Sequence, residues 1–314
     1  MFKRYLTLVV VMVSLVSYAQ EQELLPLGDM EQWLTREVKE SGIIGGNSRT
    51  LYEIAPQRTL EENEAYVPDG SIWATSSVYA RVKRINKGSI TVFPEEREEG
   101  GTAARLECRT ENVKVLGIIN ISAMATGTIF TGSMVEPIKD TKDPQAKINS
   151  GVPFTKRPEA LSFDYKLQLL GQRIYDEGVG SSRIVPGRNA AEVVIILQHR
   201  WEDGDGNIFA KRVATGCEML TQSFDNWQDN HTVEILYGDM SHNKSTHSYM
   251  DLITSEPIYA MNSRGEMKPI QEVGWADSAT EPTHLFIRFS ASYGGAYIGA
   301  EGTTLWLDNV SLIY

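Results

Sequence analysis

The sequence predicts an all-β protein with the architecture of a β-sandwich or jelly roll. Two features of the 314-residue chain support this prediction. Segments rich in β-branched and aromatic residues recur along the chain, and glycine, asparagine and aspartate separate them at short intervals. The clearest of these segments are residues 79–85, 103–109, 192–198, 231–237 and 284–292.

Helical periodicity is scarce in this sequence. Residues 30–40 are compatible with a short helix, and residues 216–227 contain a second, weaker helical pattern. The sequence shows no internal repeat and no long linker, so we expect a single jelly-roll domain over residues 20–314. Residues 43–69 and 133–150 are the least regular stretches and predict long loops, which either carry function or are flexible.

The N-terminal segment predicts export. Lys3 and Arg4 precede an apolar run over residues 5–16, and Ser17-Tyr-Ala19 supplies small residues at the cleavage positions. This arrangement is typical of a secretory signal peptide over residues 1–19, and the run is too short to span a bilayer. No cysteine lies near the cleavage point, so we do not expect a lipoprotein anchor. The mature protein is predicted to act in the periplasm, at the cell surface or as a secreted protein.

Charge and cysteine content narrow the range of partners. The formal net charge of −11 argues against nucleic acid and anionic membrane surfaces, and it suits a protein that binds neutral sugars or cations. The chain has two cysteines, Cys108 and Cys217. Export permits a disulfide between them, but each also has the strand parity of a buried thiol, so both interpretations remain open.

The familiar catalytic and metal-binding motifs are missing from the sequence. It contains no Gly-x-Ser-x-Gly, His-Glu-x-x-His or phosphate-binding glycine loop. Asp203-Gly-Asp-Gly-Asn207 begins like a calcium loop, but Ile208 and Ala214 stand where an EF-hand needs glycine and glutamate. A hairpin turn explains this segment better. Glu192 and Glu218 lie on or beside predicted strands, but 41 acidic residues leave an acid–base pair for glycoside hydrolysis unassigned.

Aromatic residues are the candidate ligand-binding groups. Sugar rings present C–H faces that stack on indole and phenol rings, while their hydroxyl groups need a few polar partners. The alternative for each ring is core packing, because a large sandwich needs bulky fillers. The candidate stacking residues lie near predicted strand ends or in loops, and they are Trp201, Trp275, Trp73, Trp227 and Tyr165.

The C-terminal segment alternates as a strand from Leu305 to Ile313 and places Asp308 in a row with apolar residues. A buried carboxylate needs a cation, an arginine or several N–H donors. The pattern Leu-x-Leu-Asp-Asn-Val-x-Leu resembles the closing strand of jelly-roll carbohydrate-binding modules. This resemblance implies a structural calcium ion with Asp308 as one ligand, and we expect Asp29 or Glu31 as further ligands. A polar spot at the sheet rim is the alternative.

Five ordered segments together resemble one family, the putative carbohydrate metabolism domain. They are Gly28-Asp-Met-Glu-Gln-Trp33, Gly127-Thr-Ile-Phe-Thr-Gly132, Gly151-Val-Pro-Phe-Thr-Lys-Arg-Pro158, Phe163-Asp-Tyr-Lys166 and residues 297–312. The resemblance implies a jelly-roll protein that takes part in polysaccharide utilisation. We therefore expect an exported, non-catalytic protein that binds a neutral polysaccharide or oligosaccharide. A glycoside hydrolase on a jelly-roll scaffold and a structural cell-envelope component are the alternatives.

Overall fold

Strands account for nearly all secondary structure in the computed structural model, which confirms the predicted all-β class. The structure describes residues 21–115, 119–140, 143–178, 180–241, 250–254 and 257–314; the predicted signal peptide lies outside these ranges. Two short 3₁₀ turns, Gly42–Ile44 and Pro144–Lys147, are its helical segments. The strands are β1 (Gln22–Leu24), β2 (Trp33–Lys39), β3 (Ser48–Ile54), β4 (Trp73–Thr75), β5 (Val78–Val82), β6 (Ile85–Ser89), β7 (Val92–Glu96), β8 (Thr102–Val115), β9 (Ile119–Thr126), β10 (Thr128–Met134), β11 (Ile148–Ser150), β12 (Val152–Pro153), β13 (Ala160–Gln168), β14 (Ile174–Tyr175), β15 (Arg183–Ile184), β16 (Ala191–Glu202), β17 (Ile208–Leu220), β18 (Phe224–Glu234), β19 (Leu236–Tyr237), β20 (Tyr259–Met261), β21 (Met267–Trp275), β22 (His284–Ser290), β23 (Ile298–Gly299) and β24 (Thr304–Ile313).

Two large sheets pack face to face. One has the order β18-β13-β24-β8-β7, with β1 paired to β24 and β9 paired to β8, and the other is built around β22, β16 and β17. Phe163 and Leu307 from the first sheet share a buried core with Ile195 and Phe289 from the second. The rings of Phe163 and Phe289 meet edge to face across the core, with centroids 5.0 Å apart. The predicted sandwich is therefore confirmed.

The second sheet also curls around a core of its own. Seven of its strands form a closed circuit of pairings in the order β16, β17, β21, β20, β11, β10 and β22, which pairs again with β16. Phe130, Ile196 and Phe286 lie in the buried cluster inside this circuit. Strands β16 and β22 consequently have one face toward the sandwich core and the other toward this second core.

The two weak helix predictions are wrong. Residues 33–39 form strand β2, residues 216–220 end β17, and residues 224–227 begin β18. In β2 the side chains of Leu34, Arg36 and Val38 are buried, whereas the residues between them are exposed. Leu34 and Val38 are four residues apart, a spacing that fits both a helix and alternate positions of a strand. The burial of Arg36 distinguishes the two, because it requires a period of two.

Strand β24 does not alternate strictly, because a bulge interrupts it. Asn309 has a positive φ of 51°, and the register of β24 with β13 shifts beside it. Leu305 and Leu307 face the core before the bulge, and Val310 and Leu312 face it afterwards. The sequence interpretation placed Asp308 in the row of Val310. The bulge instead puts Asp308 on the outer face of the sheet.

The two cysteines belong to different cores. Cys108 is buried in the sandwich core, and Cys217 packs against the second core. Both are free thiols in the structure. Burial raises the pKa of Cys108 to about 11 and that of Cys217 to about 12, so both stay protonated at neutral pH. Across the described ranges, no helix is long and apolar enough to cross a membrane.

Arg36 on β2 lies between two buried carboxylates. Its Nη2 atom is 2.7 Å from Glu53 Oε1, and its Nη1 atom is 2.7 Å from Glu136 Oε2. Glu136 also accepts hydrogen bonds from the backbone N–H groups of Tyr66 and Tyr79. Burial raises the pKa of Glu53 to about 8 despite the opposing effect of Arg36, and the charge of Glu136 adds to the rise.

The substitution Glu53→Gln is expected to remove much of the pH dependence of stability between about pH 5 and pH 8. Folded protein keeps the Glu53 proton to about pH 8, whereas the unfolded chain loses it near the ordinary glutamate pKa of about 4.3. The folded state therefore holds an extra proton in this window. The wild-type free energy of unfolding should fall as pH rises, by up to about 1.4 kcal/mol per pH unit from this group. Urea unfolding at several pH values measures the slopes, and equal slopes in both proteins would contradict the expectation.

The substitution Gly127→Ala is expected to lower the free energy of unfolding by about 1–3 kcal/mol. Gly127 separates β9 from β10, and a Cβ atom there would overlap the backbone nitrogen of Glu107. Gly204 provides the control, because a Cβ atom at that position would meet open space. Thermal or urea unfolding of both alanine variants tests this difference. A Gly127→Ala variant as stable as Gly204→Ala would show that β8 shifts easily.

Candidate functional site

The hairpin of β16 and β17 presents an exposed pair of aromatic rings. Trp201 and Phe209 are cross-strand partners, with ring centroids 5.9 Å apart and ring planes within 18° of parallel. Trp201 is 40% exposed, and Phe209 is half-buried. The turn after Trp201 fixes this pairing, since Asp203 Oδ1 accepts hydrogen bonds from the backbone N–H groups of Asp205 and Asn207. The predicted hairpin turn is thus present.

Polar side chains surround the ring pair. Lys211 is the cross-strand partner of His199, and Gln271 on β21 is the partner of Phe209. Cross-strand partners project to the same face of a sheet. The imidazole of His199 lies 6.5 Å from the Trp201 ring, centroid to centroid. We call this surface, made of His199, Trp201, Phe209, Lys211 and Gln271, the Trp201 face.

The hairpin is held in place by the turn at residues 262–266. Glu202 accepts hydrogen bonds from the backbone N–H and the hydroxyl of Ser263, at 2.8 and 2.7 Å. Arg264 donates to the backbone oxygens of Gly204 and Asp205. These contacts fix the position of the Trp201 face. The hydrogen bonds from Ser263 also lower the pKa of Glu202.

The other predicted stacking residues lie in different surroundings. Trp73 is fully buried and donates a hydrogen bond from Nε1 to the backbone oxygen of Pro26. Tyr165 is 5% exposed and packs in the sandwich core. Neither ring offers a free face to a sugar, since the opposite sheet covers both. The structure therefore gives these two residues a packing role in place of the predicted stacking role.

Trp275 and Trp227 are half-buried, and each lies near a guanidinium group. The Cζ atom of Arg212 is 5.8 Å from the centre of the Trp275 ring, and that of Arg97 is 4.0 Å from the Trp227 ring. Trp227 belongs to β18 in the first sheet, whereas Trp201 and Trp275 belong to strands of the second. The five predicted rings therefore do not form one surface.

Arg97 is the partner that the buried Asp308 requires. Its Nη1 atom lies 2.6 Å from Asp308 Oδ2 and 3.3 Å from Asp164 Oδ2. The backbone N–H of Asn309 donates to Asp308 Oδ1 at 2.8 Å. Burial raises the pKa of Asp308, although the hydrogen bond from Arg97 opposes the rise. The need for a cation or N–H donors at Asp308 is met by a side chain and the backbone.

The described residues do not fit the calcium ion predicted at Asp308. The guanidinium of Arg97 occupies the position a cation would take, and Glu31 instead accepts a hydrogen bond from the backbone N–H of Thr102. Asp29 has a buried carboxylate oxygen without a hydrogen-bond partner, but one such oxygen is far from the six to eight that calcium takes. Across the part of the chain that the structure describes, no three His, Cys, Asp or Glu side chains are arranged to hold a metal ion.

Glu192 and Glu218 do not face a common cleft. Glu218 is the cross-strand partner of Val193, so it projects from the face of the sheet opposite to Glu192. Glu192 contacts Arg288 at 2.5 Å, and Glu218 lies 2.8 Å from His231. A glycosidase needs two carboxyl groups on either side of one bond. This pair cannot meet that requirement.

The family profile described as the putative carbohydrate metabolism domain matches residues 48–313 of this chain. The chain belongs to this family. The family description connects the protein with carbohydrates, in agreement with the resemblance seen in the sequence. Among curated proteins, no match to the chain was found.

Two solved structures resemble this member of the putative carbohydrate metabolism domain family. A protein from Bacteroides thetaiotaomicron, titled a putative glycoside hydrolase, is 18% identical, with a TM-score of 0.45, 71% of this chain covered and 57% of that chain. A second putative glycoside hydrolase, from Bacteroides vulgatus, is 17% identical, with a TM-score of 0.41 and coverage of 72% and 80%. The chain therefore spans little more than half the length of the first.

Sequence reasoning missed Phe209 in this putative carbohydrate metabolism domain, although the sequence contains the signal for it. The hairpin turn of residues 203–207 centres on Asp205, and counting outward from Asp205 pairs Trp201 with Phe209. It also missed Arg97, whose contact with Asp308 joins positions 211 residues apart in the sequence. No local pattern reports a contact of that kind.

We expect Arg97→Met to lower the free energy of unfolding of this putative carbohydrate metabolism domain by about 3 kcal/mol. The substitution leaves the buried Asp308 and Asp164 without their cation. The double variant Arg97→Met/Asp308→Asn should recover part of the loss.

Thermal unfolding of the wild type with added calcium or with a chelator tests whether a calcium ion binds to the folded protein. A calcium-dependent rise of the wild-type Tm would contradict the assignment of Arg97 as the cation.

Proposed function

We propose that this protein is exported and binds a neutral oligosaccharide or polysaccharide on the Trp201 face without cleaving it. The observation that carries the proposal is the nearly parallel pair of rings, with Trp201 40% exposed, on a fixed hairpin. Membership of a carbohydrate-related family supports the ligand class. The predicted signal peptide and the net charge of −11 support a role outside the cytoplasm on neutral ligands.

The chemistry of the Trp201 face suits a sugar. The C–H face of a pyranose ring stacks on indole, and its hydroxyl groups at the ring edge need hydrogen-bond partners. His199, Lys211 and Gln271 lie on the same face as the rings and supply donors and acceptors. The Phe209 ring stacks on Trp201 and orients it.

The two carboxylates that follow Trp201 in the hairpin favour binding over hydrolysis. A glycosidase needs one carboxylic acid with a raised pKa that protonates the leaving oxygen. Hydrogen bonds from Ser263 lower the pKa of Glu202, and those from Asn207 lower the pKa of Asp203. Both groups therefore stay ionised, and their hydrogen bonds stabilise the hairpin. Neither has the properties of a general acid.

The substitution Trp201→Ala is expected to weaken binding of the best glycan by about 1–3 kcal/mol, by analogy with base–aromatic stacking. A glycan array on the wild type selects the ligand, and calorimetry measures the affinity of the variant. Stability should change little, because the ring is exposed. Phe209→Ala should weaken binding less, because that ring is half-buried.

Trp306→Ala is the matched control, because Trp306 lies on the first sheet under the Lys166 ammonium group. That variant should keep the wild-type affinity. Equal loss of affinity in the Trp201 and Trp306 variants would contradict the assignment of the site. Release of reducing ends from any glycan by the wild type would contradict the non-catalytic role.

A further inference from the structure

A second cleft lies at one end of the closed strand circuit and is separate from the Trp201 face. Its volume is about 380 Å³, at the small end of the range for ligand sites. Phe130, Phe286 and Ile258 from the second core line its deep part, and Val78 and Ala125 belong to its wall. The inner part of the cleft is therefore apolar.

The polarity of the cleft changes along strand β22. Phe286, Arg288 and Ser290 occupy alternate positions and line the cleft, and Ser292 follows them. Arg288 contacts Glu192 at 2.5 Å, and Ser290 shares a hydrogen bond with the hydroxyl of Thr128. A bound molecule would meet hydrocarbon at the Phe286 end and hydrogen-bonding groups at the Ser292 end.

Two buried polar atoms of the described lining residues have no hydrogen-bond partner. They are Arg288 Nε and Ser292 Oγ, and both residues line the cleft. A buried polar group without a partner costs about 1–3 kcal/mol, so such atoms point to a ligand that completes them. Glu192 already balances the charge of Arg288. A neutral oxygen, such as that of an ether, ester or hydroxyl, therefore fits better than an anion.

The outer rim of the cleft is fixed and carries aromatic rings. The Cζ atom of Arg173 lies 3.7 Å from the centre of the Tyr293 ring, and its Nη2 atom donates to the backbone oxygen of Tyr293 at 2.8 Å. The Tyr293 hydroxyl donates to the backbone oxygen of Arg188. Tyr297 lines the same rim. These rings border the polar end of the cleft, where a sugar would lie.

We propose that this cleft binds the apolar substituent of an alkyl- or acyl-substituted sugar. The hydrocarbon chain would occupy the inner part beside Phe130 and Phe286. The linking oxygen would meet Ser292 Oγ at the polar end, and the sugar ring would lie at the rim beside Tyr293. The proposal rests on contacts separate from the Trp201 face, so either site can fail without the other.

Calorimetry with methyl, butyl, hexyl and octyl β-glucosides, each below its micelle concentration, tests the proposal. We expect affinity to rise roughly fourfold for each methylene added while the chain enters the cleft. Octanoate should bind more weakly than octyl glucoside, because the Arg288–Glu192 pair offers no net positive charge to its carboxylate. Equal affinity for the methyl and octyl glucosides, or no binding of either, would overturn the proposal.

Two variants separate specific binding from adsorption of an amphiphile. Ser292→Ala removes an unpartnered hydroxyl, so the fold should tolerate it while octyl glucoside binds about five- to tenfold more weakly. Ala125→Trp fills the half-buried wall and should abolish binding, with its Tm measured to check the fold. Trp306→Ala on the first sheet should bind octyl glucoside as the wild type does. If all three variants bind it equally, the cleft is not the site.

Discussion

The burial of strand β16 on both faces is the constraint on which both proposed sites depend. Residues from Ala191 to Gln198 are all buried, because one face packs in the sandwich core and the other in the second core. The strand also has hydrogen-bonded neighbours on both sides, β17 and β22. A strand held on four sides cannot shift without disrupting both cores. The positions of Trp201 at one end of the strand and Glu192 at the other are therefore fixed as well.

Buried polar side chains form a hydrogen-bonded network on the face of β16 that points into the closed circuit. Arg200 donates to Gln198, Gln198 donates to Glu272, and Glu272 accepts two hydrogen bonds from Arg212. Burial lowers the pKa of Arg200 to about 10, and its Nη1 atom donates to the backbone oxygen of Ser150. The network joins β16, β17, β21 and β11 inside the closed circuit. It holds these four strands together, because each partner needs the next to remain satisfied.

The sequence predicted what depends on local pattern. Period-two alternation gave the all-β class, and the Asp203-Gly-Asp-Gly-Asn207 turn gave the hairpin that carries Trp201. It did not separate Trp201 from Trp73, since both are tryptophans near strand ends. One is exposed and the other fully buried because of which surfaces the opposite sheet covers. Which surfaces the opposite sheet covers depends on the tertiary structure, and local sequence patterns do not predict it.

The same reasoning explains the terminal strand. Asp308 was correctly expected to need a cation or N–H donors, since a carboxylate amid apolar residues is costly. Asp308 pairs with Arg97 because of two structural features. These are the bulge at Asn309 and the position of Arg97 directly after β7. A bulge shifts the parity of every later residue, so a strict two-residue repeat assigns Val310 and Leu312 to the wrong side. Local alternation is reliable only between such interruptions.

The geometry of β16 also sets how the two proposed sites relate to each other. Glu192 and Trp201 are nine residues apart on one strand, a distance of about 30 Å at the usual rise per residue. An odd separation places their side chains on opposite faces of the strand. A short ligand therefore cannot contact both, and a substitution at one site has no direct path to the other. A long polysaccharide on the Trp201 face and a small substituted sugar in the cleft would bind as independent ligands of one rigid scaffold.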